Sequence, residues 1–323
     1  MKHYILFFSL IFFTSCNLFE PRPLDFQISP EIHCLATSQF NGGLLHGSHY
    51  QAFFIDIDSN LVRSTSFTFD FIENIIFNED EIWVVETENI RIHDINNFRR
   101  TDDLERVKTS SDNSHLLDDT FYYIHENFLY YFDANFTGVT DSLLLENSNG
   151  IYEFHENSLY YSTTNNDLIL LSLDNFTQLK TPINNPISYI NIEENNIGIL
   201  TNNGTEIEGW QSNISFPLDF KKIEIEEQVK MEGPISAISF LDENIIVMIN
   251  GNLYSSLNNN IIKVSDLLSF SRMNDYTINH IFGIIYTFNQ TTIEYMDIND
   301  NNIQSFEYDL DMGIDLRRLF EIR

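Results

Sequence analysis

The amino-acid sequence predicts an all-β fold, a β-propeller of seven four-stranded blades. Two observations carry this prediction. A strand-and-turn phrase recurs about every 40 residues, and apolar residues alternate with period two while no segment sustains a helical period. The phrase is an apolar strand closing on Asp or Asn before a polar turn. Its clear copies are Phe53-Phe54-Ile55-Asp56, Ile90-Arg91-Ile92-His93-Asp94, Leu129-Tyr130-Tyr131-Phe132-Asp133 and Leu170-Leu171-Ser172-Leu173-Asp174. Weaker copies close on Asn213 and Asn258, and the last is Ile293-Glu294-Tyr295-Met296-Asp297. Successive closing residues lie 38 to 45 positions apart. Small antiparallel sheets repeated at this period bury their faces against one another, and closing them into a ring protects their edges. Six blades with an irregular first unit is the alternative, because the first and fifth copies are ragged.

Other strands fall in register with the phrase. Inner strands are expected at Phe71–Phe77, Ile187–Ile192, Ile235–Phe240 and Thr277–Phe282, and second strands at Ile82–Val85, Ile245–Met248 and Ile284–Thr287. Outer strands are expected at Leu104–Thr109, Ile261–Leu267 and Ile303–Asp309. Asn-, Asp- and Glu-rich stretches such as Asn78-Glu79-Asp80-Glu81 supply the turns. Two segments compete to close the ring: Leu24–Ile28 as an added outer strand, and Ile314–Ile322 at the other end of the chain.

Residues 1–15 read as a secretion signal, with Lys2 ahead of a short apolar stretch, Ile5 to Phe13. That stretch is shorter than the roughly 20 residues of a membrane-spanning helix, and no later run supplies one. Phe13-Thr14-Ser15-Cys16 resembles the lipobox of bacterial lipoproteins. The resemblance implies cleavage before Cys16 and acylation of its sulfur, which would hold the chain to a lipid bilayer. Asn17 stands where aspartate marks inner-membrane retention in enterobacterial lipoproteins, so the resemblance points to the outer membrane. Residues 16–30, with Pro21, Pro23 and Pro30, form the expected tether, and residues 31–323 the propeller domain.

The formal charge is −31, and loss of the signal with Lys2 makes it −32. Such a chain repels nucleic acid, whose binding depends on basic side chains meeting phosphates. With Cys16 acylated, Cys34 has no second cysteine to pair with.

No residue set specifies catalysis. The sequence lacks a Gly-x-Ser-x-Gly elbow, a phosphate-binding glycine loop and a Trp-Asp or kelch signature. The tryptophan-containing repeat of lipid-anchored propellers in outer-membrane assembly machines, otherwise similar in layout, is missing as well. Asp56, Asp58, Asp297 and Asn299 are weak candidates for Ca²⁺, which takes six to eight oxygens; no other cofactor is expected, and the same residues suit plain turns. His46 and His49 have a metal-ligand spacing without a visible third ligand. His33, His115 and His280 fall on expected inner strands and so become channel-lining candidates, with Glu73, Asp118 and Glu153 as acidic counterparts. The duplicated His125-Glu126-Asn127 and His155-Glu156-Asn157 fall on different hairpins and read as turn chemistry. Tyr122, Tyr123, Tyr130, Tyr131, Tyr160, Tyr161 and Trp210 either pack between sheets or form an interaction face.

The expected function is therefore a membrane-anchored module of the cell envelope that binds another protein or complex. The alternative is capture of a glycan or small ligand in the central channel, with metal-assisted hydrolase or lactonase activity.

Overall fold

Every copy of the recurring phrase falls on the third strand of a four-stranded antiparallel sheet in the computed structural model of the chain, and the described residues form seven such sheets. The structure describes strands between Cys34 and Glu321, with 114–133 and 141–225 continuous apart from residue 194. Residues 1–33, which include Cys16 and Leu24–Ile28, lie outside it.

Blade 1 contains β1 (Cys34–Asn41), β2 (Ser48–Asp56) and β3 (Leu61–Phe69). Blade 2 contains β4 (Ile72–Asn78), β5 (Glu81–Glu86), β6 (Asn89–Asp94) and β7 (Arg100–Glu105). Blade 3 contains β8 (Ser114–Leu117), β9 (Thr120–His125), β10 (Phe128–Asp133) and β11 (Asp141–Leu144). Blade 4 contains β12 (Ser148–His155), β13 (Ser158–Thr163), β14 (Asp167–Ser172) and β15 (Gln178–Pro182). Blade 5 contains β16 (Ile187–Glu193), β17 (Asn196–Asn202), β18 (Ile207–Asn213) and β19 (Lys221–Lys222). Blade 6 contains β20 (Ile235–Leu241), β21 (Asn244–Ile249), β22 (Asn252–Leu257) and β23 (Asn260–Lys263). Blade 7 contains β24 (Tyr276–Asn279), β25 (Ile284–Phe288), β26 (Thr292–Asp297) and β27 (Asn302–Glu307). The last strand, β28 (Asp315–Glu321), returns to blade 1 and pairs antiparallel with β1.

This return decides the ring closure. The sheet order β28-β1-β2-β3 puts the chain's end, within the expected Ile314–Ile322, in the innermost place of blade 1 rather than on its outside. β28 also packs against β24, the inner strand of blade 7. The outer strand of blade 2 differs from expectation too. It occupies Arg100–Glu105 rather than Leu104–Thr109, because Arg100 to Asp103 continue the ladder with β6 despite their polarity.

The core lies between blades. One cluster joins Trp83, Val85, Ile90 and Ile92 of blade 2 to Phe121, Tyr123 and Phe132 of blade 3. The next joins Tyr122, Ile124 and Leu129 of blade 3 to Leu159, Tyr161 and Leu171 of blade 4. Tyr160 and Leu168 then meet Ile187, Ile190, Ile197 and Ile199 of blade 5, and Leu200 and Ile223 meet Ile235, Ile238 and Phe240 of blade 6. Successive side chains of a strand point to opposite faces, so Tyr122 and Tyr123, or Tyr160 and Tyr161, enter different clusters. Full burial of an aliphatic or aromatic side chain stabilises by about 1.5–3 kcal/mol, which gives these four junctions their strength.

Turn chemistry follows the composition. With 12 glycines in 323 residues, left-handed positions fall to Asn127, Asn147, Asn166 and Asn250, at φ of 67°, 56°, 62° and 48°. Asparagine tolerates this conformation better than most residues. Glu126 and Asn127 both have positive φ, as a two-residue hairpin turn requires. The duplicate at Glu156 sits on the β12–β13 hairpin, and the two copies thus occupy different hairpin types as expected.

Candidate binding groove

Four consecutive blade junctions carry a polar staple on the inner strands. Asn74 Nδ2 donates to Ser114 Oγ at 3.0 Å between blades 2 and 3. His115 Nε2 meets the Glu156 carbonyl at 2.7 Å between blades 3 and 4. Asn149 Nδ2 donates to the Ile187 carbonyl at 3.3 Å between blades 4 and 5. The Glu193 carboxylate accepts from the Ser239 hydroxyl at 2.8 Å and the Phe240 N–H at 2.5 Å between blades 5 and 6. Several inner strands are bulged near their start, between Ile72 and Asn74, Ser148 and Tyr152, Ile187 and Tyr189, and Ile235 and Ala237. A bulge re-aims side chains at the end of a ladder, and Asn74 and Asn149 use it to reach the next blade.

These staples revise the channel-lining expectation. His115 pairs in register with Tyr122 and shares its sheet face, toward blade 4. Its ring stacks on Phe154 at 5.3 Å, and burial lowers its pKa, opposed by the bond to Glu156. It is an interface residue. β1, which follows His33, is a second strand and not an inner one, since β28 takes the inner place; His33 and His280 themselves lie outside the described residues. Asp118 is an exposed β8–β9 turn residue at φ 49°. Glu153 pairs with Tyr160, whose ring lies in the blade 4–5 cluster, and Glu73 is the extra residue of the β4 bulge. Asp118 and Glu153 therefore do not converge, one lying in an exposed turn and the other on the strand face toward blade 5.

Asp56 and Asp297 end the third strands of their blades, while Asp58, Asn299 and His46 lie outside the described residues; His49 pairs with Phe40. Among the described residues no three His, Cys, Asp or Glu side chains gather as metal ligands. Tyr122, Tyr123, Tyr160 and Tyr161 are buried, and so do not form an exposed face. Trp210 is half-buried and donates to Thr201 Oγ1 at 3.0 Å.

One buried ionic group had no sequence signal beyond its residue types. Glu86 closes β5 fully buried, with Arg91 Nε at 2.9 Å from its carboxylate. Burial, then the neighbouring Arg91, lowers the pKa of Arg100 on the adjacent strand.

A concavity between blades 5 and 6 encloses about 510 Å³. Its origin is the short outer strand of blade 5. β19 pairs with β18 only at Trp210 and Gln211, the Ile223 N–H adds one bond to the Gly209 carbonyl at 2.8 Å, and regular pairing then stops. Ile207, Ile223, Ile225, Ile235 and Ile249 supply aliphatic walls. The β17–β18 turn forms one rim and is pre-set: Asn203 Oδ1 accepts from the Thr205 and Glu206 N–H groups, each at 2.9 Å. Glu206, Glu208 and Lys222 bring charge to the lining. Lys222 Nζ lies 2.6 Å from Glu208, a contact that raises the lysine pKa, aided by Glu206 and Glu224 nearby. Two glutamates and one lysine already engaged with Glu208 line the rim, which is therefore net acidic and favours a cationic visitor.

No family model matches the chain, and no curated protein matches it. Solved structures do. A 6-phosphogluconolactonase-like protein from Bacteroides uniformis aligns with a TM-score of 0.58 at 7% identity, over 89% of this chain and 100% of its own. Hsv2p of Kluyveromyces lactis aligns with a TM-score of 0.49 at 12% identity, over 93% and 99% of the two chains. The fold is a β-propeller. At such identity the likeness speaks to the scaffold alone, which hosts unrelated functions.

Proposed function

We propose that this propeller is held at the cell envelope, on the outer membrane, through an acylated Cys16, and that it binds another envelope protein through the groove between blades 5 and 6. The observation that carries the reading is the groove: an aliphatic-walled concavity of about 510 Å³ under an acidic rim. The occupant it fits is an extended segment that sets aliphatic side chains beside Lys or Arg. Complementary charge steers association and fixes register, while the buried apolar contacts supply most of the affinity. The motif around Cys16 supports the anchor, and since one acyl chain binds membranes only marginally, stable attachment needs more than one.

Two experiments test the parts separately. Cys16→Ser should move the protein from the membrane fraction to the soluble fraction; unchanged membrane attachment would refute the anchor. A photo-crosslinking residue at Glu206 should capture one partner that the same residue at Asp133 does not. Equal capture at both positions would remove the groove from the account.

A further inference from the structure

The sequence contains four Asn-Gly dipeptides, beginning at Asn41, Asn149, Asn203 and Asn250. Two of them, Asn149-Gly150 and Asn203-Gly204, lie wholly within the described residues. Such a pair is chemically labile, because glycine has no side chain to shield its backbone nitrogen from the amide carbon of the preceding asparagine. The glycines do not distinguish the two sites. Gly150 and Gly204 both sit at φ 90°, and a Cβ added at either would meet nothing within 4 Å. The asparagine side chains do distinguish them.

Asn203 is folded back over its own turn. Its Oδ1 accepts from the Thr205 N–H at 2.9 Å, the Thr205 hydroxyl at 2.7 Å and the Glu206 N–H at 2.9 Å. The ring closed by the first of these contacts contains the Gly204 nitrogen. All three donors meet the oxygen on which negative charge collects when the amide carbon is attacked, and fixed donors at such distances stabilise that charge. The Gly204 N–H points to Asn202 Oδ1 at 2.8 Å, a bond in the peptide plane that leaves the face of the nitrogen open. Asn149 is tied to other elements instead. Its Oδ1 accepts from the Ser162 hydroxyl of β13 and from the Ile151 N–H at 3.2 Å. Its Nδ2 donates to the Ile187 carbonyl of blade 5 at 3.3 Å, so expelling that nitrogen breaks a contact between blades.

We propose that Asn203 is a deamidation site of the folded chain. The Gly204 nitrogen forms a bond to Asn203 Cγ and gives its proton to hydroxide, and the Cγ–Nδ2 bond breaks with release of ammonia. Water then opens the cyclic imide at either carbonyl, leaving aspartate or isoaspartate. Either product adds a negative charge beside the groove's rim, and isoaspartate also lengthens the main chain of the β17–β18 turn by one carbon. The modification does not depend on the protein-binding reading; only its consequence for a partner rests on that reading.

Peptide mapping by mass spectrometry on the full-length chain, kept folded in oxygen-labelled water at mildly alkaline pH, tests this. Asn203 should take up label as a mixture of aspartate and isoaspartate, about fivefold or more faster than Asn149, the factor that one broken hydrogen bond represents. In denaturant the two rates should converge, since both sites are then the same exposed dipeptide. Thr205→Val removes the hydroxyl donor and should slow Asn203 about threefold without changing Asn149. No label at Asn203, a folded-chain rate at Asn149 equal to or above that at Asn203, or a ratio that neither denaturant nor Thr205→Val alters would overturn the proposal.

Discussion

The carboxylate of Glu193, 8% exposed at the end of the inner strand of blade 5, accepts hydrogen bonds from both the Ser239 hydroxyl and the Phe240 N–H of blade 6. Asn191 Nδ2 adds a third donor at 3.4 Å. A buried carboxylate is tolerated only where such donors satisfy it, so this contact is a latch between blades and a point where the ring is vulnerable. Glu193→Ala leaves the Ser239 and Phe240 donors buried without their acceptor, at about 1–3 kcal/mol for each. Ser239→Ala removes one donor and leaves Phe240, so its cost should be smaller. Denaturant titration of the two variants should rank them in that order.

Gly198 lies on the second strand of blade 5, against blade 6. A Cβ there would stand 2.9 Å from Ile238 Cγ2 and 3.0 Å from the Phe240 ring. Gly198→Ala therefore pushes directly against the junction that the Glu193 latch holds. Overpacking of this kind costs about 1–3 kcal/mol, outweighing the gain in backbone entropy that alanine normally brings. A lowered thermal midpoint checks it, and the variant's effect should be non-additive with Glu193→Ala because both act on one interface.

His115 gives the fold a pH dependence of known sign. Burial lowers its pKa, partly offset by the bond to the Glu156 carbonyl, and His155 nearby pushes the same way as burial. A histidine whose folded pKa lies below the unfolded value of about 6.5 contributes fully above that pH. Its contribution is lost as pH falls from there toward the folded pKa, since the unfolded chain binds the proton first. The wild type should lose more stability than His115→Gln between about pH 7 and pH 5, read as the difference between their denaturation midpoints.

The parts of this molecule that local chemistry decides were legible in its sequence. The third strands could be read because alternation and a closing Asp or Asn are properties of a few adjacent residues. The destination of Tyr122 and Tyr123 follows from the same two-residue period. Contacts between blades were not legible: the reach of Asn74 to Ser114 depends on a bulge, and Glu193 gives no hint of Ser239, 46 residues onward. The ring closure stayed open because both chain ends carry strand-like patterns, and only the pairing of β28 with β1 distinguishes them. The groove was hidden for a related reason. It exists because β19 is two residues long, and where a ladder stops depends on the path of the chain in space.

The most direct test of the central claim is recovery of the full-length protein from gently solubilised native membranes after mild crosslinking, beside a Glu206→Lys/Glu208→Lys variant. The account predicts one stoichiometric envelope partner with the wild type and its loss with the variant, because the substitutions reverse the charge of the groove's rim. Recovery of the wild-type chain alone, or of the same partner in equal amount with both proteins, would contradict it.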